Sequence, residues 1–327
     1  MMIAFIDQQR SRGFAVESIC RVLREQGVQI AARTYRDWRN GPVAARTISD
    51  ALTVDAVRDL AWSTVIDPDG VERRRLAPEG LYGRRKMTAM LRRTCLPNAS
   101  PGSVDRAMRQ LGLRGVTRKK TVRTTIAHKD GKRAGDLLNR DFTAERPNQK
   151  WVTDFTYVRT WSPAWVYVCF IVDCFSQRIV AWHAQTSMHT DLVMTPLKIA
   201  LWERDRQGHP VQPGELITHS DAGSQYTSIR FTEHLALEGI APSIGSVGDA
   251  YDNSLMETIN GLYKAECIRT TVFHQGPYRT ISDVEFATAS WVDWYNHRRL
   301  HGTLGMLTPD EYENIYYQSQ TTELSPV

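Results

Sequence analysis

An aspartate in the middle of a strand is the strongest constraint in this chain. Gln149–Arg159 is dense in β-branched and aromatic residues and predicts a strand, with Asp154 of WVTDFTYV at its centre. Aspartate is depleted in strands, so its presence there needs a reason beyond folding. A second acid, Asp221 of THSDAGSQYTS, lies just past the short apolar run Leu216–His219, where a strand ends and a loop begins. A third, Glu257, follows after 35 intervening residues in DNSLMETINGLYKAE. There Leu255, Ile259 and Leu262 have helical spacing, and Glu257, Asn260, Gly261 and Lys264 occupy the opposite face. Glu257 and Lys264 are nearly two helical turns apart and share that face.

Hard divalent cations take oxygen ligands, and Mg²⁺ is usually held by one or two carboxylates together with water and substrate phosphate. Three carboxylates therefore fit a pair of such ions, one serving the attacking oxygen and one the leaving oxygen of a phosphoryl transfer. A lysine on the same helix face is placed to meet a phosphate. Other acids have structural readings. Asp173 ends the apolar run Trp165–Val172 ahead of a turn at Ser176 and Gln177 and reads as a strand-end residue. Asp252 or Asn253 can cap the helix of Glu257, and Glu266 is expected to face away from Glu257 into solvent.

The formal charge of +5 conceals an asymmetry: residues 1–133 hold 27 Lys/Arg against 13 Asp/Glu, and residues 134–327 hold 14 against 23. The front half is thus fitted to a polyanion, and the back half carries the acids. Val16–Gln26, Gly27 and Ala31–Arg39 read as helix, turn, helix, with Arg33, Arg36 and Arg39 on the second helix. A second helical pair, Tyr82–Thr94 and Ser103–Gln110, carries Arg84, Arg85 and Lys86. A basic linker follows, with Arg118, Lys119 and Lys120. Asp67-Pro-Asp-Gly reads as a turn. No apolar run is long enough for a membrane span, and the five cysteines show no paired zinc spacing, so reduced thiols in a cytoplasmic protein are expected.

The motifs resemble the integrase-core transposases of bacterial insertion sequences, of the second-reading-frame (OrfB) type, within the retroviral-integrase superfamily. The resemblance rests on RPNQKWVTDFTYV, VDCFSQRIVAW, THSDAGSQYTS, SVGDAYDNSLMETINGLYKAE and WVDWYNHRRLHGTLGMLTPDEY, in that order, over about half of the chain. It implies an α/β core with a ribonuclease-H-like mixed five-stranded sheet, preceded by small all-α helix-turn-helix units. It also implies Asp154, Asp221 and Glu257 as catalytic ligands of two Mg²⁺ (or Mn²⁺) ions, and Lys264 as a DNA contact. Arg298 and Arg299, in the cluster after the last long helix, are candidate phosphate contacts. Implied partners are double-stranded DNA (terminal inverted repeats and target), further copies of the chain on paired ends, and the product of an upstream (OrfA-type) frame. A nucleoid-associated place in a bacterial cytoplasm follows, with no membrane partner. The expected division is 1–66 and 67–113 for the two helical units, 114–145 for the linker, 146–312 for the core and 313–327 for a tail. A DNA-binding regulator without catalysis, or a host nuclease of the same fold, are the alternatives.

Overall fold

The computed structural model describes residues 2–67, 69–117, 135–161, 165–221, 223–245 and 253–323. Two compact units are present, Met1–Thr53 and Val54–Val327. The first is built from α1 (Met2–Ser11), α2 (Val16–Glu25) and α3 (Ala32–Asn40). Its core is Ile6, Val16, Ile19, Cys20, Ile30 and Tyr35, the one apolar face each helix owns. Gly27, at a φ of 85°, allows the sharp exit from α2 toward α3.

The unit boundary falls inside α4 (Ala45–Ala61), and the second unit continues with β1 (Trp62–Ile66) and β2 (Glu72–Leu76). These strands form an antiparallel hairpin that the all-α expectation for the front of the chain lacked. The Asp67 carboxylate accepts from the N–H groups of Asp69 and Val71 and so nucleates the turn. Three consecutive arginines in β2 hid the alternation that would have revealed the strand. The helices α5 (Arg84–Thr94) and α6 (Pro101–Gln110) follow and pack on each other. Ser100 caps α6 by accepting from the Ser103 N–H, with Pro101 in the first turn.

The larger sheet contains β3 (Lys150–Arg159), β4 (Trp165–Asp173), β5 (Ile179–Gln185), β6 (Ile217–Ser220) and β7 (Ala241–Ile244), in the order β5-β4-β3-β6-β7. The first three form an antiparallel meander, while β6 and β7 run parallel to β3 and its neighbour. This is the mixed five-stranded, ribonuclease-H-like arrangement that the resemblance implies. Helices α7 (Asp191–Arg206) and α8 (Ile229–Leu237) cover one face. The other face is covered by α9 (Ser254–Leu262), a π-helical turn over Tyr263–Ile268, and α10 (Ile281–His297). Because alternate residues of a strand point to opposite faces, β4 supplies Val166, Val168, Phe170 and Val172 to one core and Cys169 and Ile171 to the other. Burial on both faces is why β4 reads as an unbroken apolar run.

A last helix, α11 (Pro309–Glu323), runs through the position assigned to the start of a tail. Its Glu313 is buried and receives two bonds from the guanidinium of Arg204 on α7, at 2.7 and 2.8 Å. Arg204 also binds Asp173 at 3.1 Å. Asp173 further accepts from the Asn148 N–H, the Trp151 indole and the Phe175 N–H. It is thus a structural strand-end acid, as its sequence position indicated. Glu266, by contrast, is buried instead of solvated. Arg299 clasps both of its carboxylate oxygens, and the Trp291 indole donates a long bond to it. A buried charge persists only when paired, and Arg299 provides the pairing from 33 residues away.

Candidate active site

The three acids arrive from a strand, a loop and a helix. β3 and β6 pair in parallel register, with Val152 level with His219. Asp154 and Asp221 each lie two residues past that pair, Asp221 just beyond the end of β6. The loop after β6 is anchored by Tyr226, which is buried and shares a hydrogen bond of 3.2 Å with Thr153, the residue before Asp154. Asp221 accepts from the Gly223 N–H at 3.0 Å. A Cβ on Gly223 would lie 2.9 Å from that same Asp221 oxygen, closer than contact permits. That oxygen is the free end of a side chain, so a Cβ there would push the Asp221 carboxylate off its bond to the Gly223 N–H.

Helix α9 is tied to β3 on both sides of Glu257. The Asn253 amide donates to the Thr153 carbonyl at 3.3 Å, and the Asn260 amide donates to Asp154 Oδ2 at 2.9 Å. The other Asp154 oxygen accepts from the Phe155 N–H at 2.8 Å. Asn253 occupies the N-cap position but makes no side-chain capping bond; its amide is spent on β3. Asn260 lay on the polar stripe visible in the sequence, yet its role as the clamp on Asp154 depends on how α9 is docked. Tyr226 gave no sequence signal, since a tyrosine in a polar loop is common.

The electrostatics report the proximity of the acids. Burial, then the charge of Asp221, and that of Glu257, push the Asp154 carboxyl up to about 7 against the opposing Phe155 N–H and Lys264. Burial and the nearby Arg269 lower the Lys264 ammonium, while Asp154 supports its charge. Lys264 lies in the π-helical turn, with its Nζ 4.6 Å from the centre of the Tyr157 ring on β3. Among the described residues, no three His, Cys, Asp or Glu side chains close into a ready-made metal cage. Like charges resist gathering, and the Asp154 and Asp221 carboxylates are held by N–H donors.

The basic residues singled out from sequence fall into three groups. Arg33 is 91% exposed and only loosely paired with Asp37, at 3.8 Å. Arg84 and Arg85 are exposed in the first turn of α5, where the helix dipole disfavours cations, so helix stability does not explain them. Arg298 is about half exposed and lies 3.9 Å from Glu79. Arg36 and Arg39 are engaged within their own unit, with Glu17 and with Asp7. Lys86 and Arg299 are turned inward: Lys86 lies over the Tyr82 ring, and Arg299 is buried on Glu266. The Arg299 guanidinium is buried between Glu266 and the Trp294 ring, while Lys86 is half-buried with its ammonium over Tyr82. Arg118, Lys119 and Lys120 lie outside the described residues, as does Asp252.

Two family models described as integrase core domains match residues 144–250 and 238–309, and one described as an HTH-like domain matches 73–121. The chain is 46% identical over 288 residues to the putative transposase for insertion sequence element IS986/IS6110 of Mycobacterium tuberculosis (strain ATCC 25177 / H37Ra), covering 88% of this chain and 96% of that relative. The chain belongs to the integrase-core transposases of bacterial insertion sequences. The transposase for insertion sequence element IS629 of Shigella sonnei is also 46% identical, over 73% of this chain and 76% of its own length. Transposase InsF for insertion sequence IS3A of Escherichia coli (strain K12) is 28% identical over 96% of this chain and 99% of its own. The matched integrase-core residues of this transposase include Asp154, Asp221, Glu257 and Lys264. The HTH-like match takes in α5 and α6. Among the described residues, no helix is long and apolar enough to cross a membrane.

Proposed function

We propose that this transposase cuts the ends of its element and joins them to new DNA, with Asp154, Asp221 and Glu257 as ligands of two divalent cations, Mg²⁺ or Mn²⁺. One observation carries the reading. Asp154 and Asp221 each lie two residues past the last β3–β6 pair, and Asp154 is hydrogen-bonded to the helix that bears Glu257. The donor set fits hard cations, since it is made of carboxylate oxygens. When bound, the cations supply Lewis-acid stabilisation of the attacking and leaving oxygens.

The chain's own residues do the positioning. Asn260 and the Phe155 N–H fix both oxygens of Asp154, so its orientation is set before DNA arrives. Gly223 and Tyr226 hold the loop of Asp221 against β3. Lys264 meets a phosphate oxygen beside the cut. In the first reaction, a water oxygen attacks phosphorus and the P–O3′ bond breaks, leaving a 3′-hydroxyl and a 5′-phosphate. In the second, that hydroxyl loses its proton and its oxygen attacks another phosphodiester in line, displacing a new hydroxyl. Neither reaction needs a covalent link to the protein.

The regions 1–66 and 67–113 and the linker 114–145 serve as the DNA-holding half, with Arg33, Arg84 and Arg85 among its exposed cations. The core of 146–312 acts in a multimer on paired terminal repeats, with an upstream-frame product as a partner. Purified protein with labelled terminal-repeat duplexes and Mg²⁺ tests this. Wild type should nick and join, and Asp154→Asn should fall to background with its circular dichroism unchanged. Equal products from both proteins would refute the assignment.

A further inference from the structure

The end of the β3–β4 hairpin beyond Asp154 carries aromatic surface that the cutting chemistry does not use. Tyr157, three residues after Asp154, is 54% exposed, and Trp165 at the start of β4 is 42% exposed. Their rings meet edge to face at 5.1 Å, which holds both in place. Lys264 lies against the Tyr157 ring, and Arg159 is exposed at the end of β3. Trp161, two residues after Arg159, is 78% exposed, its backbone N–H donating to the Tyr278 carbonyl. Among the described residues, β3 pairs with β6 only over Lys150–Val152, so no strand covers that edge of β3 beside Tyr157.

Rigid, water-facing aromatics beside cations match the two surfaces of a nucleotide: a flat base and an anionic phosphate. Within a duplex, base faces are covered by their neighbours, so only an unpaired base can offer one. At about 3.3 Å per residue, Tyr157 lies roughly 10 Å along the strand from Asp154 and on the alternate face of β3, with Lys264 against its ring at the uncovered strand edge. That is about three base steps of 3.4 Å. We propose that Tyr157 and Trp165, with Lys264 beside them, form a stacking shelf for an unpaired base about three nucleotides from the scissile phosphate. The shelf would favour opening of the duplex next to the cut. The inference rests on the proposed role of Asp154, Asp221 and Glu257, because they define where the cut lies.

The test uses the full chain carrying Asp154→Asn, so that DNA is bound but not cut. The DNA is the element's own terminal repeat with a mismatched flank, carrying 2-aminopurine at successive positions. Quenching should peak near the third nucleotide, persist in Tyr157→Phe and be lost in Tyr157→Leu/Trp165→Leu. The Leu variant should bind this DNA roughly tenfold more weakly and fully paired DNA equally well. An abasic site at the peak position should weaken the Asp154→Asn parent to the same degree, a result that does not depend on how any shelf variant folds. Bound DNA with quenching unchanged in the Leu variant, or parent binding unaffected by the abasic site, would overturn the shelf alone. Failure of the Asp154→Asn parent to bind any terminal-repeat DNA would overturn the transposase mechanism and the shelf together.

Discussion

Replacing Arg204 with methionine should unfold the catalytic unit far more readily at neutral pH than at mildly acidic pH. Arg204 is fully buried and makes three charge-assisted bonds, two to Glu313 and one to Asp173. Ser176 and Arg178 also bind Glu313, but Asp173 has no other cation against it among the described ion pairs. Methionine fills much of the volume yet leaves two carboxylates buried with too little charge to balance them. Breaking a buried pair in this way costs about 3–5 kcal/mol. Burial raises the Asp173 pKa to about 6, with Glu313 adding to the rise and Arg204 opposing it. Glu313 is held below its usual range: burial pushes it up, but the bonds and charges of Arg204 and Arg178 outweigh that. Without Arg204 both groups move upward. A raised carboxyl is a group that folding prefers protonated, so the variant regains stability as pH falls through the raised pKa. Urea unfolding followed by circular dichroism at pH 7.5 and pH 5.5 measures the effect, with the deficit smaller at pH 5.5. A deficit below about 1 kcal/mol at pH 7.5, or one that grows on acidification, would refute the reasoning. Arg204→Met combined with Asp173→Asn and Glu313→Gln should recover part of the loss, since neutral groups tolerate the pocket better.

Gly223→Ala should reduce DNA cleavage by about tenfold or more while leaving the thermal midpoint within about a degree or two, because the new Cβ displaces the Asp221 carboxylate; an unchanged rate would show that this contact relaxes freely. Lys86→Met should stabilise the fold by about 1–2 kcal/mol at pH 7. Burial, assisted by Arg299, lowers the Lys86 pKa to about 8, so the penalty is full below that pH and disappears as pH rises through about 10; equal denaturant midpoints at pH 7 would contradict it. Tyr226→Phe should cost about 1 kcal/mol in the same unfolding assay and lower the cleavage rate, since the hydroxyl is what joins the Asp221 loop to Thr153. Unaltered rate and stability would remove Tyr226 from the positioning scheme.

The core strands and the candidate acids were legible because their signals are local. Alternation within Gln149–Arg159 gave β3 to within a residue, and the apolar stripe of Leu255, Ile259 and Leu262 gave α9 with Glu257 on its other face. The β1–β2 hairpin was not legible, because Arg73, Arg74 and Arg75 erase the pattern that marks a strand. Nor was α11, whose tyrosines and acids lack a clean apolar face. Charged residues misled most. Lys86 and Arg299 sit in basic runs that resemble DNA-facing surface, yet both turn inward.

What the sequence determined by itself was therefore what neighbouring residues decide: strand, turn and helix, and the acid each one carries. Only the tertiary structure decided which charges meet. Glu266 meets Arg299 across 33 residues, Arg204 meets Glu313 across 109, and Asp154 meets Asn260 across 106. A charge in a sequence has no fixed sign of effect on stability. Exposed, it costs little; buried alone, it is prohibitive; buried with its partner, it is tolerated, and losing that partner is costly. That difference is set by packing, and packing brings together residues that the chain keeps far apart.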